Sequence, residues 1–397
     1  MTFKRTAPGL LLPALLAACT TPTGTTPPPT TGNFTEPAAP IATSAVDTRN
    51  APAITADVNA DLLAVLSPAN LDADTLAAFA AFSLTGSAFP SQPQSLNPQA
   101  LGRTLAAALA AGRTPTHATS VSVTPNVPLP TGTTRRAANG QITRTATPTD
   151  GLVYIDDSTG TTATIEWRVS GAPTTSLTLI GEQGTYSVEL PTRARLNVTR
   201  GTGRDLQRLA HADFTLAPGA CLSSTGPDAL TLNAWAGRES EPAARLNVQY
   251  AWANSGVTFA VDASLRGTQH NARAKLNVAL NGTTTNRCDP NTLTFTPSAV
   301  SVNADVTLPK HNAQVSLDVR GLKNIVLSGD TLTAQNPFAR IEGQVRGLVD
   351  LDGARAASAW GSLQDGPDAD LTPGDQVTVR YVRDGAVVTT TLQDLLK

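Results

Sequence analysis

Over most of its length the chain alternates apolar and polar residues with a period of two. Residues 162–169 alternate cleanly, as do 176–180, 187–190, 246–252, 257–265, 274–280, 299–308, 313–319 and 377–382. Successive side chains of a strand point to opposite faces, so each run predicts a strand with one apolar and one polar face. Gly, Pro, Asn and Asp punctuate the runs at short intervals, as in antiparallel hairpins. No helical pattern alternates with them, which argues against a parallel sheet. A four-residue unit recurs as Arg195-Leu196-Asn197-Val198, Arg245-Leu246-Asn247-Val248, Lys275-Leu276-Asn277-Val278 and, more loosely, Ser316-Leu317-Asp318-Val319. Its spacings of 50, 30 and 41 residues are too uneven for a solenoid. Within each unit Leu and Val share one face, and the basic and amide residues form a polar stripe on the other.

Residues 53–113 carry a helical period instead. Ile54, Val58, Leu62, Val65 and Leu66 mark a first helix, and Leu71, Leu76, Phe79 and Phe82 a second. Asn97-Pro98 opens a third, an N-cap followed by proline, which runs through Leu101, Leu105 and Leu109 to Gly112. Lys and Arg are missing from the polar faces, so these helices are expected to pack on the domain rather than lie on a membrane. Residues 20–45 are rich in Thr and Pro, and 114–140 in Pro, Thr and Gly; neither stretch has the apolar content to offset ordering. The first reads as a tether and the second as an irregular connector.

The expected organisation is a leader at 1–18, a modified Cys19 with its tether at 19–52, helices at 53–113, the connector at 114–140 and a β domain at 141–397. The fold class is mainly β. It is a large antiparallel sheet, as an open curved sheet, a sandwich or a soluble barrel, with a short N-terminal helical segment. Aromatics are only 4% of the chain and the C-terminus is polar, which disfavours a transmembrane barrel with aromatic girdles. The core must therefore be built from Val, Leu and Ala. A net charge of −2 leaves no electrostatic footprint for nucleic acid.

The first nineteen residues set the address. Lys4 and Arg5 form a positive n-region, and residues 7–18 an apolar stretch broken by Pro8, Gly9 and Pro13, too short to span a bilayer. Leu16-Ala17-Ala18-Cys19 resembles the lipobox of bacterial lipoproteins. The resemblance implies cleavage after Ala18, a lipid on Cys19, and attachment to a membrane of the cell envelope. Thr20 rather than Asp follows the cysteine, which by the same resemblance implies the outer membrane where the host has two. Export permits disulfides, and once Cys19 carries lipid only Cys221 and Cys288 remain to pair. Both lie in turn-like stretches, so a structural bridge between them is expected.

Candidate chemistry is sparse. His117, His211, His270 and His311 are isolated, without a second ligand at metal spacing. No nucleophile elbow, zinc-protease motif or phosphate loop is present. Asp350-Leu351-Asp352-Gly353 and residues 365–370 resemble calcium-loop fragments but lack the closing Glu, since Gly361 and Gln376 hold those places; Asx turns are the expectation. Residues 371–385 resemble the closing hairpin of PDZ domains of envelope proteases, which implies a hairpin and nothing about peptide binding. No catalytic residue, metal or cofactor is therefore expected. The leading expectation is a non-enzymatic envelope lipoprotein that binds a partner or supports surface structure. Two alternatives stay open: a carrier of apolar ligands on a curved sheet, as in half-barrel lipoprotein carriers, and an envelope hydrolase. The carrier requires a broad face lined by Leu, Val and Phe.

Overall fold

The computed structural model describes residues 34–79 and 126–394 with short breaks, the longest at 335–341 and 365–376. The leader, Cys19, the predicted third helix, His117 and the acidic run at 365–370 lie outside the described residues.

Strands begin inside the expected connector, with β1 (Asn126–Val127), β2 (Gly132–Arg136), β3 (Ile142–Thr145), β4 (Gly151–Asp156) and β5 (Thr161–Glu166). A hairpin of β6 (Thr174–Gly181) and β7 (Gly184–Pro191) joins β1 in a small separate sheet. The large sheet resumes with β8 (Arg193–Arg200), β9 (Gln207–Ala217), β10 (Ala229–Arg238), β11 (Glu241–Ala253), β12 (Gly256–Arg266), β13 (Asn271–Thr285), β14 (Thr294–Thr307) and β15 (Asn312–Lys323). After a side hairpin of β16 (Ile325–Ser328) and β17 (Thr331–Ala334) come β18 (Glu342–Leu351), β19 (Ala354–Gln364), β20 (Val377–Arg383) and β21 (Ala386–Thr391).

From β8 to β15 every strand pairs antiparallel with the next in sequence. β5 pairs with β8, and β15 with β18, so the two excursions are looped out. The β2–β4 pair is parallel, which makes the sheet mixed. Described pairings end at β3 on one side and β21 on the other, so the sheet is open and not a closed barrel. The turn residues fit: Asp352-Gly353 and Asp384-Gly385 both carry positive φ at the tips of hairpins, as two-residue type I′ loops require. The first pair is thus a hairpin tip rather than part of a calcium loop. The second closes the hairpin read from residues 371–385.

A meander of this kind has two rims. Turns β8–β9, β10–β11, β12–β13, β14–β15 and β18–β19 share one, and the N-terminal chain runs along it. The Ala42 nitrogen donates to the Arg355 carbonyl at 2.9 Å. Helix α1 (Ala51–Leu66) follows, and Asp61 accepts from the Lys310 backbone nitrogen at 2.9 Å. Asn70 then grips the β12–β13 turn, accepting from the nitrogens of Gln269 and His270 and donating to the His270 carbonyl. A second helical segment at 73–79 ends the crossing and puts Ala78 into a core of Tyr154, Ala163, Val198, Leu209, Ala210 and Ala236. Among the described residues no helix is long and apolar enough to cross a membrane.

The predicted tether is shorter than its composition suggests. Phe34 lies under the Arg320 guanidinium at 3.8 Å, Glu36 pairs with Arg380, and Ile41 is buried. Two apolar anchors within a Thr/Pro-rich stretch fix its second half to the sheet.

Candidate functional site

Register divides the large sheet into two chemically distinct faces. One row of paired positions runs from Phe214 through Leu232, Val248, Val261, Leu276, Ala304 and Val315 to Val349, all apolar. A second runs from Trp252 through Val257, Leu280, Val300 and Val319 to Val345. On the opposite face Arg195, Asp213, Asn233, Asn247, Asp262, Lys275, Asp305, Gln314 and Asp350 form an uninterrupted polar belt. The recurring Leu-Asn-Val units supply both faces, as their pattern predicts.

The apolar face is not closed over. Leu232, Val248, Val261, Leu276, Val302 and Leu317 are only half-buried. The main apolar cluster, with Val198, Leu209 and Ala236, lies at the helix-bearing rim; Ala304 in mid-sheet and Leu216 and Val345 toward the other rim are buried as well. There Asp74 takes hydrogen bonds from Arg238 Nε at 3.0 Å and from Arg200, tying the second helical segment to the ends of β10 and β8. The Arg238 bond first, and then Arg200, hold the Asp74 carboxyl below its usual range although burial pushes it up.

The opposite rim carries the disulfide. Cys221, between β9 and β10, is bonded to Cys288, between β13 and β14, with their Cα atoms 4.5 Å apart. Those strand pairs stand about 14 Å apart across a flat sheet, at ~4.8 Å per strand, so the two loops reach toward each other over the intervening β11–β12 hairpin. They cross on the apolar side, because the Arg287 guanidinium sits 4.7 Å from the ring of Trp252, an apolar-face residue. Arg287 also pairs with Asp228 at 2.7 Å and donates to the Pro227 carbonyl. The Trp252 indole N–H donates to Thr284. Burial pushes the Tyr250 hydroxyl up, partly opposed by Arg287. A polar recess of about 630 Å³ lined by Cys221, Asp228, Asn254, Arg287 and Asp289 opens beside this strap.

No protein-family model matches the chain, and no curated protein or solved structure matches it.

The predicted site residues divide clearly. Cys221 and Cys288 are brought together as expected. His211 is held on the polar face between Asp213 and Asn197, with its ring nitrogens 2.7 and 2.8 Å from their oxygens; an amide, not a nucleophile, takes the second nitrogen. Burial pushes Asp213 up, but hydrogen bonds from His211 and Arg195 outweigh it and hold the carboxyl low. His270 contributes backbone groups to the Asn70 clasp. His311 bonds to Asp352 at 3.0 Å, and its other ring nitrogen is buried without a partner. Among the described residues no cluster of His, Cys, Asp and Glu has the arrangement to hold a metal. Asp74, Asn70 and Arg287 were not singled out from the sequence. Their roles come from contacts between residues as many as 200 positions apart, which no local pattern records.

Proposed function

We propose that this protein is an exported, lipid-tethered carrier of apolar ligands that holds acyl chains against the apolar face of its sheet. The observation that supports it is the incomplete burial of that face, whose Leu and Val side chains are mostly of intermediate exposure. Fully burying a Val or Leu side chain contributes roughly 1.5–3 kcal/mol, so leaving most of two rows part-covered forgoes stabilisation. Contiguous apolar surface on this scale marks a binding face. Across the eight strands of the first row, at ~4.8 Å per interval, it offers roughly 34 Å. That is about the thickness of a bilayer's hydrocarbon core, so one acyl chain, half as long, fits readily. The helices and the disulfide strap bound the face at its two rims. A lipid on Cys19 would keep the carrier beside its lipid source, at the outer membrane where the host has one. On the other face, the exposed members of the polar belt, such as Asn233 and Gln314, would be the surface offered to a protein partner; Lys275 and Asp305 between them are buried.

Titration with a fluorescent fatty acid tests the reading. Delipidated protein should take up the probe, and Val261→Asp, in the middle of the first row, should weaken binding at least several-fold while the melting temperature stays near the parent's. Delipidated protein that binds no probe would overturn the proposal.

A further inference from the structure

We infer that the outward face of helix α1 is a membrane-docking surface that rests the helix-bearing rim on the bilayer to which the chain is tethered. The inference rests on the reading of Cys19 as a lipid anchor. Its basis is the orientation of the helix. Asp61 is 3% exposed and turned to the sheet, whereas Leu63 is 73% and Leu66 66% exposed. Both charges of α1, Asp57 and Asp61, reach toward Lys310 on the β14–β15 turn, at 4.0 and 3.9 Å. Ala53, Ala56, Asn59, Ala60, Leu63 and Leu66 point away from the protein without a charge among them, while Asp57 is exposed at the flank of this face, on the Lys310 side. Surface helices of soluble domains normally present a charged face to water, and a helix without one is normally covered.

The chain's own connectivity identifies the cover. Phe34 is already fixed to the sheet, so fourteen residues separate it from Cys19. They span at most about 50 Å. A bilayer held within that distance is present at high effective concentration, so a modest apolar patch is sufficient to dock. The helix has no Lys or Arg, so the docking is apolar and needs no anionic lipid. Against the expectation that these helices simply pack on the domain, α1 packs with one side and offers the other.

The test uses the lipidated chain in phosphatidylcholine vesicles, with an environment-sensitive dye on Ala56→Cys or, as control, on Gln249→Cys of the polar face. The dye at position 56 should shift to the blue and be quenched several-fold more slowly by an aqueous quencher than the dye at 249. The double variant Leu63→Asn/Leu66→Asn should abolish that difference while leaving the melting temperature unchanged, since both side chains are solvent-facing. Equal quenching at the two positions overturns the inference. So does a blue shift that follows protein density rather than lipid, which would mean a second copy covers the helix. Failure of the anchor reading would show separately, as protein purified without a lipid on Cys19; vesicles added in excess to that protein still report whether α1 docks.

Discussion

Asp74 joins the helical crossing to the sheet through two arginines, and its chemistry sets a pH limit on that joint. Its carboxyl titrates below the ordinary value of 3.8, with Arg238 the main cause. An acid whose folded pKa is depressed lends stability above its unfolded pKa and loses it as the pH falls through the folded value. The helical segment should therefore stay attached at neutral pH and loosen only as the pH drops below about 4. Asp74→Asn should cost on the order of 1.5 kcal/mol at neutral pH, the lower end for bonds to charged groups because Arg238 is largely exposed. The variant's acid-unfolding curve should be flatter in that window; superimposable curves for the two proteins would refute the assignment. The same ion pairs explain why Leu76 and Phe79, read from their spacing as an inward stripe, are exposed while Thr75 and Ala78 face inward. The positions of Arg200 and Arg238 fix the rotation of the segment, and the helical period carries no information about them.

Among the elements, strands with strong contrast were legible and strands rich in small residues were not. Runs such as 257–265 and 274–280 alternate Val, Leu and Phe with polar residues and match β12 and β13. β9, β10 and β19 place Ala210, Ala212, Ala234, Ala236, Ala357 and Ala359 on the apolar face, where alanine gives little contrast to its neighbours. β18 puts Gly347 into the same face, opposite Ala359. A glycine also permits a close approach between helix and sheet. Gly237 sits at a register shift in β10 with φ of +107°, and a Cβ there would lie 2.8 Å from the Ala243 nitrogen and 3.0 Å from Thr75 Oγ1. Gly237→Ala should destabilise by about 1–3 kcal/mol through strain and overpacking, seen as a lower denaturation midpoint with an unchanged slope. The disulfide closes a stretch of 67 residues, so Cys221→Ser/Cys288→Ser should cost roughly 4 kcal/mol on a chain-entropy basis. A double variant as stable as the parent would show that the strap is held by Arg287 and its partners alone.

At the scale of the molecule, alternation announced a two-faced antiparallel sheet but not its closure, because a sandwich, a barrel and an open sheet share the same period of two. That the apolar face stays part-exposed is a property of how strands assemble, and it is the feature on which the proposed ligand binding depends. The proposed lipid anchor rests on the first nineteen residues alone. Replacing Cys19 with Ser should move the protein from the membrane fraction to a soluble one or leave an uncleaved precursor; unchanged fractionation and mass would refute the anchor. Limited proteolysis should cut within residues 20–33 and leave a stable fragment beginning near Phe34, where the chain meets Arg320. A fragment beginning beyond residue 46 would show that the contacts of Phe34, Glu36 and Ile41 do not hold in solution. The meander from β8 to β15 has a kinetic consequence as well. Each strand needs only its immediate predecessor as a template, so contact order in this region is low and loop closure adds little to the barrier. Assembly of these eight strands can advance by one hairpin at a time from either end, much faster than a Greek-key arrangement of the same size would allow.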